Sequence, residues 1–431
     1  MSQFLHEFVV GIDVAAEFSI VAMLAPEGDL IRKPFRIDHN LGGFTQLLEI
    51  LKNEEERFNK RPIFFVESTG IFHLPLFFFL RSNDLKGFVL NPLCVHSTKN
   101  FDVRKVKNDK KDAIAIAKLA KYQDVKTSLV PEPPIIALRM LCREYFALAD
   151  SLTAYKLRVG NDLHLLFPGF SDAFKDPFSA SALLILKRYP SPAALGTCNL
   201  EEFIPEVAKA GHRSLAWAKK KLIPLIDYAK VSDSIGLYST LLEEKLRIQI
   251  QTIEAIASSM KSIEQAIREH LQSDSFPARF RQEIKLLDAM PGVGFLSAVT
   301  LIAEIGDFKR FQNAKAFVAF FGVDPTVKES GKFKGTQNKI SKRGTSHGRR
   351  VLFMIAMASI RKNSKGDDIN PILKSYYQSK IVTKKKMVAI VAVMHKLLYY
   401  IFATLRDQKP YELRLPQNHW DKQMGLLNIA A

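Results

Sequence analysis

Four carboxylates in the first quarter of the chain have the residue type and setting of a shared cation site. Asp13 sits in the apolar run Phe8-Val9-Val10-Gly11-Ile12-Asp13, and Glu67 ends a second run, Ile63-Phe64-Phe65-Val66-Glu67. Asp109 and Asp112 stand three apart at the start of a helical pattern, in Lys107-Asn108-Asp109-Lys110-Lys111-Asp112. A carboxylate at the end of an apolar strand is costly unless its charge is compensated. Mg²⁺ would compensate it, because it takes a few carboxylate oxygens and leaves room for water and substrate phosphate. The chain around these acids is strongly basic. Acids inside a basic surface imply an enzyme that draws in nucleic acid and acts on its phosphates.

A second constellation lies far downstream. Met290-Pro291-Gly292-Val293-Gly294 between two apolar helical patterns fits a helix-hairpin-helix, whose turn would cradle a phosphate without reading a base. A plain helix–helix turn carries the same signal, and the motif alone does not separate the two. Next comes Gly322-Val323-Asp324-Pro325-Thr326-Val327-Lys328-Glu329-Ser330-Gly331. From Gly331 to Gly366 there are ten Lys or Arg and no acid; among them are Lys332, Lys334, Lys339, Lys342, Arg343, Arg349 and Arg350. A serine beside such charge is a candidate nucleophile for a phosphodiester, with the cations stabilising charge that develops on the phosphoryl oxygens. A Ser-Gly pair in a loop is more often only a turn. The nearby His347 does not complete a hydrolase triad and reads as a phosphate contact or a solvent-facing side chain.

The whole composition favours a polyanionic partner. Net charge is +18 over 431 residues, with ordinary apolar and charged fractions. Anionic lipid is the other class such charge allows. The cysteines are Cys94, Cys142 and Cys198, with no paired spacing, so neither a disulfide framework nor a thiolate zinc site is indicated. A cytoplasmic location is expected, with no signal peptide before the first strand. The most membrane-like stretch, Met387 to Leu405, is interrupted by His395 and Lys396 and reads as a buried helix.

These residues need elements to position them. Runs 8–14, 18–25 and 30–37 read as strands, followed by helix 42–58, strand 62–67, helix 72–83, strand 86–91 and helix 109–121. A three-strand meander running into alternating helices and strands predicts a mixed sheet covered by helices, as in the ribonuclease H-like fold. Its central first strand would carry Asp13. Pro131-Glu132-Pro133-Pro134 is a stiff boundary. Helix 135–166 follows, then a Pro- and Gly-punctuated region, 168–235, then a long helix at 236–272. In that helix Leu246, Ile250, Ile253, Ala257, Met260, Ile263, Ile267 and Leu271 form a coiled-coil seam. It predicts pairing within the chain or between subunits. The expected domains are 1–130 (sheet), 131–276 (helical, coiled-coil, oligomerisation), 277–408 (mostly helical, with the serine) and a peripheral tail, 409–431.

Taken together, these motifs resemble the DEDD-type insertion-sequence transposases, a family that includes bridge-RNA-guided recombinases. The first half is matched by the Gly-Ile-Asp strand at Asp13, the Val-Glu-Ser-Thr-Gly run at Glu67, and Lys107-x-Asp109-x-x-Asp112-Ala113. The second half is matched by Met290 to Gly294, Ala303-Glu304-Ile305-Gly306-Asp307 and Phe311. Phe321-Gly322-x-x-Pro325 through Ser330-Gly331, Ile340-Ser341-Lys342-x-Gly344 and Arg349-Arg350-x-Leu352 follow in order. The resemblance implies a RuvC-like domain in which Asp13, Glu67, Asp109 and Asp112 hold Mg²⁺, joined to a transposase domain in which Ser330 attacks DNA. It also implies donor and target DNA, a structured guide RNA, and action as a dimer or tetramer. Two other readings compete. A Holliday-junction-resolvase-like nuclease would use the same metal with water as nucleophile. A sugar-kinase or actin-like ATPase would begin with a similar strand, but it needs a duplicated phosphate-loop domain that this chain lacks.

Overall fold

The structure, a computed structural model, describes residues 2–67, 70–90, 109–124, 127–128, 130–235, 237, 239–326, 329–330, 333–334 and 339–413. It divides into two compact units, Met1–Pro131 and Glu132–Ala431.

The first unit begins with apolar, β-branched runs that form β1 (Val9–Val14) and β2 (Phe18–Leu24), followed by β3 (Phe35–Asp38). Helix α1 (Leu41–Phe58) starts where the Asn40 side chain accepts from the Gly43 N–H, and ends at Asn59 in the left-handed region. Then come β4 (Ile63–Glu67), α2 (His73–Ser82), β5 (Lys86–Leu90), α3 (Asp109–Tyr122) and β6 (Thr127–Ser128). The six strands lie in the order β3-β2-β1-β4-β5-β6. The β1–β2 and β2–β3 pairs are antiparallel, β1–β4 and β4–β5 are parallel, and β6 returns antiparallel to β5. The mixed α/β sheet expected above is therefore present, with β1 inside it. Two details differ. The third strand starts at Phe35 rather than residue 30, since Leu30 contributes only an isolated bridge to Leu24. The short β6 has too few residues to show a period.

One sheet face packs Val10, Ile12, Val21, Phe64 and Val66 with Leu47, Leu51, Leu76 and Leu80 of α1 and α2. The other packs Val9, Leu24, Phe65 and Leu90 with Ile116, Ala117 and Ala120 of α3.

The second unit opens with α4 (Pro133–Leu166) and continues through α5 (Phe170–Ala173), α6 (Ala180–Arg188), α7 (Pro192–Gly196), α8 (Leu200–Ala210) and α9 (Leu215–Ile235) to α10 (Thr240–Gln272). Next are α11 (Ala278–Asp288), α12 (Phe295–Ile305), α13 (Ala314–Phe321), the strands β7 (Glu329–Ser330) and β8 (Phe333–Lys334), α14 (Ser346–Ser359), α15 (Pro371–Ile381) and α16 (Lys386–Asp407). Helices α4 and α10 pack along each other. The apolar seam of α10 enters two cores: Leu246, Ile250 and Ile253 join the cluster around Phe167, Phe170 and Phe203, while Ile267 and Leu271 join the cluster of α11 to α16. Much of the period-3.6 pattern in α10 is thus used inside the chain. Of the described helices, only α16 is long and apolar enough to cross a membrane. Its face from Ile390 through Met394, Leu398 and Phe402 is packed in the core of this unit.

Candidate functional site

Sheet register brings the first two acids level. Strands β1 and β4 pair in parallel from Val9↔Ile63 to Ile12↔Val66, so one further step reaches Asp13 on one strand and Glu67 on the other. Neighbouring strands lie about 4.8 Å apart. Ile12 and Val66 face α1 and α2, so alternation turns Asp13 and Glu67 to the face covered by α3.

The direction of α3 supplies the other two. Ala113 packs with Ile20 and Ala22, while Ile116 to Ala120 pack with Val9, Leu24 and Phe65. Ile20 is the register partner of Asp13, and Leu24 that of Val9. At the far end Lys121, fully buried, donates to the Glu7 carbonyl at 2.8 Å and the Pro26 carbonyl at 3.1 Å. So α3 runs antiparallel to β1, and its first turn, with Asp109 and Asp112, lies at the Asp13 end. Gly11 permits this approach: a Cβ there would sit 2.4 Å from the Ala113 carbonyl oxygen and 2.5 Å from the Ala117 nitrogen.

Four acids from β1, β4 and α3 therefore share one end of one sheet face. Glu67 is buried at 8 % exposure, Asp13 and Asp112 are half-buried, and Asp109 is exposed. Asp13, Glu67 and Asp112 each make further interactions within the chain. Among the described residues, no three His, Cys, Asp or Glu side chains close on a common metal position. The donors are all carboxylate oxygens, which suits a hard divalent cation rather than zinc. Both α3 acids also sit in a helix first turn, where the helix dipole favours negative charge.

Ser330 lies on a β-arm in the second unit. Gly322 ends α13 in the left-handed region (φ +64°), as its helix C-cap requires. The arm then zips shut: Lys342 N–H donates to the Gly322 carbonyl, Ser341 N–H to Asp324, and Thr326 N–H to Lys339. The Ser341 hydroxyl donates to Asp324 Oδ1 at 2.6 Å. Farther out, Glu329 pairs with Lys334 and Ser330 with Phe333, so Ser330 is the last residue of β7.

The basic residues divide by what they touch. Lys339, Lys342 and Arg343 are exposed at the arm's base. Lys334 is on β8. Lys332 lies outside the described residues. Arg349 donates to the carbonyls of Phe321 at 3.2 Å and Gly344 at 2.7 Å, bracing the arm's two roots. Arg350 forms a two-bond pair with Asp150 at 2.7 Å each and lies over the Phe146 ring. These two guanidiniums have partners inside the chain. Burial pushes the half-buried His347 below its ordinary value. Gly292 (φ +95°) holds the turn between α11 and α12, where a Cβ would meet the Ser359 hydroxyl at 2.3 Å. Gly294 caps the start of α12 and is open.

One element of the site has no counterpart among the candidates drawn from spacing. Glu304 of α12, 4 % exposed, accepts from Arg143 Nε at 2.7 Å and from a terminal nitrogen of Arg143 at 3.0 Å. It also accepts from the Thr345 hydroxyl at 2.8 Å, and Thr345 itself caps α14 by accepting from Gly348 N–H. Burial, the largest influence, pushes the Glu304 carboxyl up. Arg143, Thr345 and the nearby Arg139 outweigh it and hold the group below its ordinary range. The network fastens the arm's downstream root to α4 and α12. Its signal in the chain was the Ala303-Glu304-Ile305-Gly306-Asp307 motif, but Arg143 lies 161 residues away.

Comparison with known proteins finds two family matches. The profile of a DEDD-type IS110 transposase domain matches residues 10–168, and that of the transposase IS116/IS110/IS902 family matches residues 284–378. A mini-circle putative transposase for IS117 from Streptomyces coelicolor is 25 % identical over 343 residues, covering 75 % of this chain and 77 % of its own. A pilin gene-inverting protein from Moraxella bovis is 32 % identical over 130 residues, 30 % of this chain and 39 % of its own. The transposase for insertion sequence element IS1111A from Coxiella burnetii is 26 % identical over 162 residues, 37 % and 43 % of the two chains.

Proposed function

We propose, from the premise that this chain belongs to the IS110-type insertion-sequence transposases, that it cuts and exchanges DNA strands through a covalent Ser330–DNA intermediate supported by Mg²⁺. The observation that carries the reading is the convergence of Asp13, Glu67, Asp109 and Asp112 on one end of one sheet face. Asp13 and Glu67 arrive there by strand register, and the α3 pair by the helix direction that Gly11 allows.

In this reading those four carboxylates hold Mg²⁺, which when bound polarises a phosphoryl oxygen. Ser330 supplies the nucleophile. Its hydroxyl oxygen bonds to phosphorus as the bond from phosphorus to a DNA strand's oxygen breaks, and the serine proton is relayed through solvent to that oxygen, which leaves as a free hydroxyl. A free DNA hydroxyl later attacks the phosphoserine, forming the new phosphodiester and returning the serine. Lys339, Lys342 and Arg343 at the arm's base neutralise the backbone of the incoming strand. Gly292 and Gly294 present the start of α12 to a second phosphate stretch. A relative described as inverting a pilin gene fits the same class of rearrangement. The family resemblance extends the reading to a structured guide RNA and to a dimer or tetramer, and the +18 charge suits holding RNA and DNA together.

The test is a denaturing gel with end-labelled donor DNA and Mg²⁺. Wild type gives a slow band that protease removes. Ser330→Ala loses that band and keeps DNA binding. Asp13→Asn, Glu67→Gln, Asp109→Asn and Asp112→Asn each lose it with an unchanged circular dichroism spectrum. If wild type cleaves with no adduct and Ser330→Ala cleaves equally well, water is the nucleophile and the resolvase-like nuclease is the correct reading.

A further inference from the structure

The turn between α15 and α16 exposes apolar and cationic side chains together. The two helices pack against each other as a hairpin. Residues 381–388 at its tip are all exposed. Ile381, Val382, Met387 and Val388 are 38, 82, 58 and 49 % exposed, whereas the apolar residues that follow on α16 enter the core. Between them stands Lys384-Lys385-Lys386. From Ile369 to Arg406 there are seven Lys or Arg and no acid. The nearest acids on either side, Asp368 and Asp407, already pair with Lys374 and Arg406. Large apolar side chains grouped on a surface mark a contact with something else. Here the surrounding positive charge is complementary to a polyanionic partner.

We infer that this tip is a DNA-docking wedge, in which the three lysines grip the backbone of a duplex while Val382 and Met387 enter its minor groove and bend it. Apolar side chains inserted between base steps, flanked by cations, are how minor-groove proteins kink DNA. Duplex RNA fits less well, because its wide, shallow minor groove is read through 2′-hydroxyls and phosphates, which these apolar side chains cannot address. The inference does not depend on Ser330. It adds a contact surface remote in sequence from the arm, and it would hold if water were the nucleophile.

The test uses the full chain and two variants confined to exposed positions: Lys384→Glu/Lys385→Glu/Lys386→Glu, and Val382→Ser/Met387→Ser. The probes are a DNA duplex of about 30 base pairs with a fluorophore at each end, an RNA duplex of equal length, and vesicles one-third anionic phospholipid. The charge variant should bind the DNA more weakly and lower the slope of log affinity against log salt by roughly 2–3, as expected for three lost phosphate contacts. The apolar variant should keep that slope, lose about tenfold in affinity, and lose the end-to-end shortening that reports bending. The inference is overturned if the apolar variant bends DNA like wild type, or if both variants weaken the RNA duplex as much as the DNA. It is also overturned if the variants change only vesicle binding, or only the mass of the oligomer in solution.

Discussion

Glu304 offers the sharpest test of how the arm is held. Its carboxylate is almost fully buried, and the side chain of its partner Arg143 is 45 % exposed. Removing one member of a buried pair costs about 3–5 kcal/mol when the group left behind is a stranded buried charge. The two halves of this pair should therefore differ. Arg143→Leu leaves the buried carboxylate with Thr345 as its one remaining side-chain hydrogen-bond partner and the charge of the nearby Arg139, and should cost about 3 kcal/mol. Glu304→Gln leaves Arg143, which can turn its donors to water, and Thr345 can still donate to the amide oxygen. Its cost should be about 1–2 kcal/mol. The pH dependence follows from the same asymmetry. In wild type the Glu304 carboxyl is held below its ordinary value of 4.5. Its contribution is therefore present above about pH 4.5 and is lost as pH falls through the folded value. In Arg143→Leu burial is left as the main influence, so the penalty should shrink as the carboxyl takes up a proton in acid. The measurement is hydrogen exchange followed by mass spectrometry on the amides of α12 and α14, which reads local opening without requiring the whole chain to unfold in two states. If Glu304→Gln opens these helices as much as Arg143→Leu does, or if the Arg143→Leu penalty grows in acid, the burial argument is wrong.

Other outcomes follow from single contacts. Gly11→Ala should push α3 off the sheet, because its Cβ would lie 2.4 Å from a backbone oxygen; a loss of about 1–3 kcal/mol is expected in urea unfolding, together with loss of the DNA adduct. Lys342→Glu/Arg343→Glu should weaken binding to all DNA sequences alike and flatten its salt dependence; a loss confined to one sequence in competition binding would mean that these residues read bases. Burial pushes the Glu283 carboxyl up to about 7, against the pull of Arg279. The folded state thus binds the proton more tightly than the unfolded chain, and stability should fall as pH rises from about 4.5 to about 7. Glu283→Gln should remove that fall in a pH series of thermal melts, and a variant whose melts track wild type would refute it.

Composition and local pattern determined much on their own. Alternating apolar runs specify the meander and the strand–helix repeats, because every residue of a strand or amphipathic helix carries its own mark of which side is buried. The acids, the Pro-Gly turn and the Ser-Gly loop are likewise visible, since their residue types are out of place in an apolar or basic setting. The family motifs add the order in which they recur. What the chain could not display is which distant surface each mark meets. The antiparallel lie of α3 on β1 depends on Gly11 facing Ala113 and Ala117, about a hundred residues on. The long α10 stripe reads as a seam for any partner, yet in the folded chain its two ends fill two different cores. Arg349 and Arg350 count as free cations in a charge tally, but one is spent on backbone carbonyls and the other on Asp150, 200 residues earlier. Glu304 looks like one more acid in a helix until Arg143 and Thr345 close on it. Periodicity is written into near neighbours, whereas partnership across long loops is settled only when packing decides which groups leave water together.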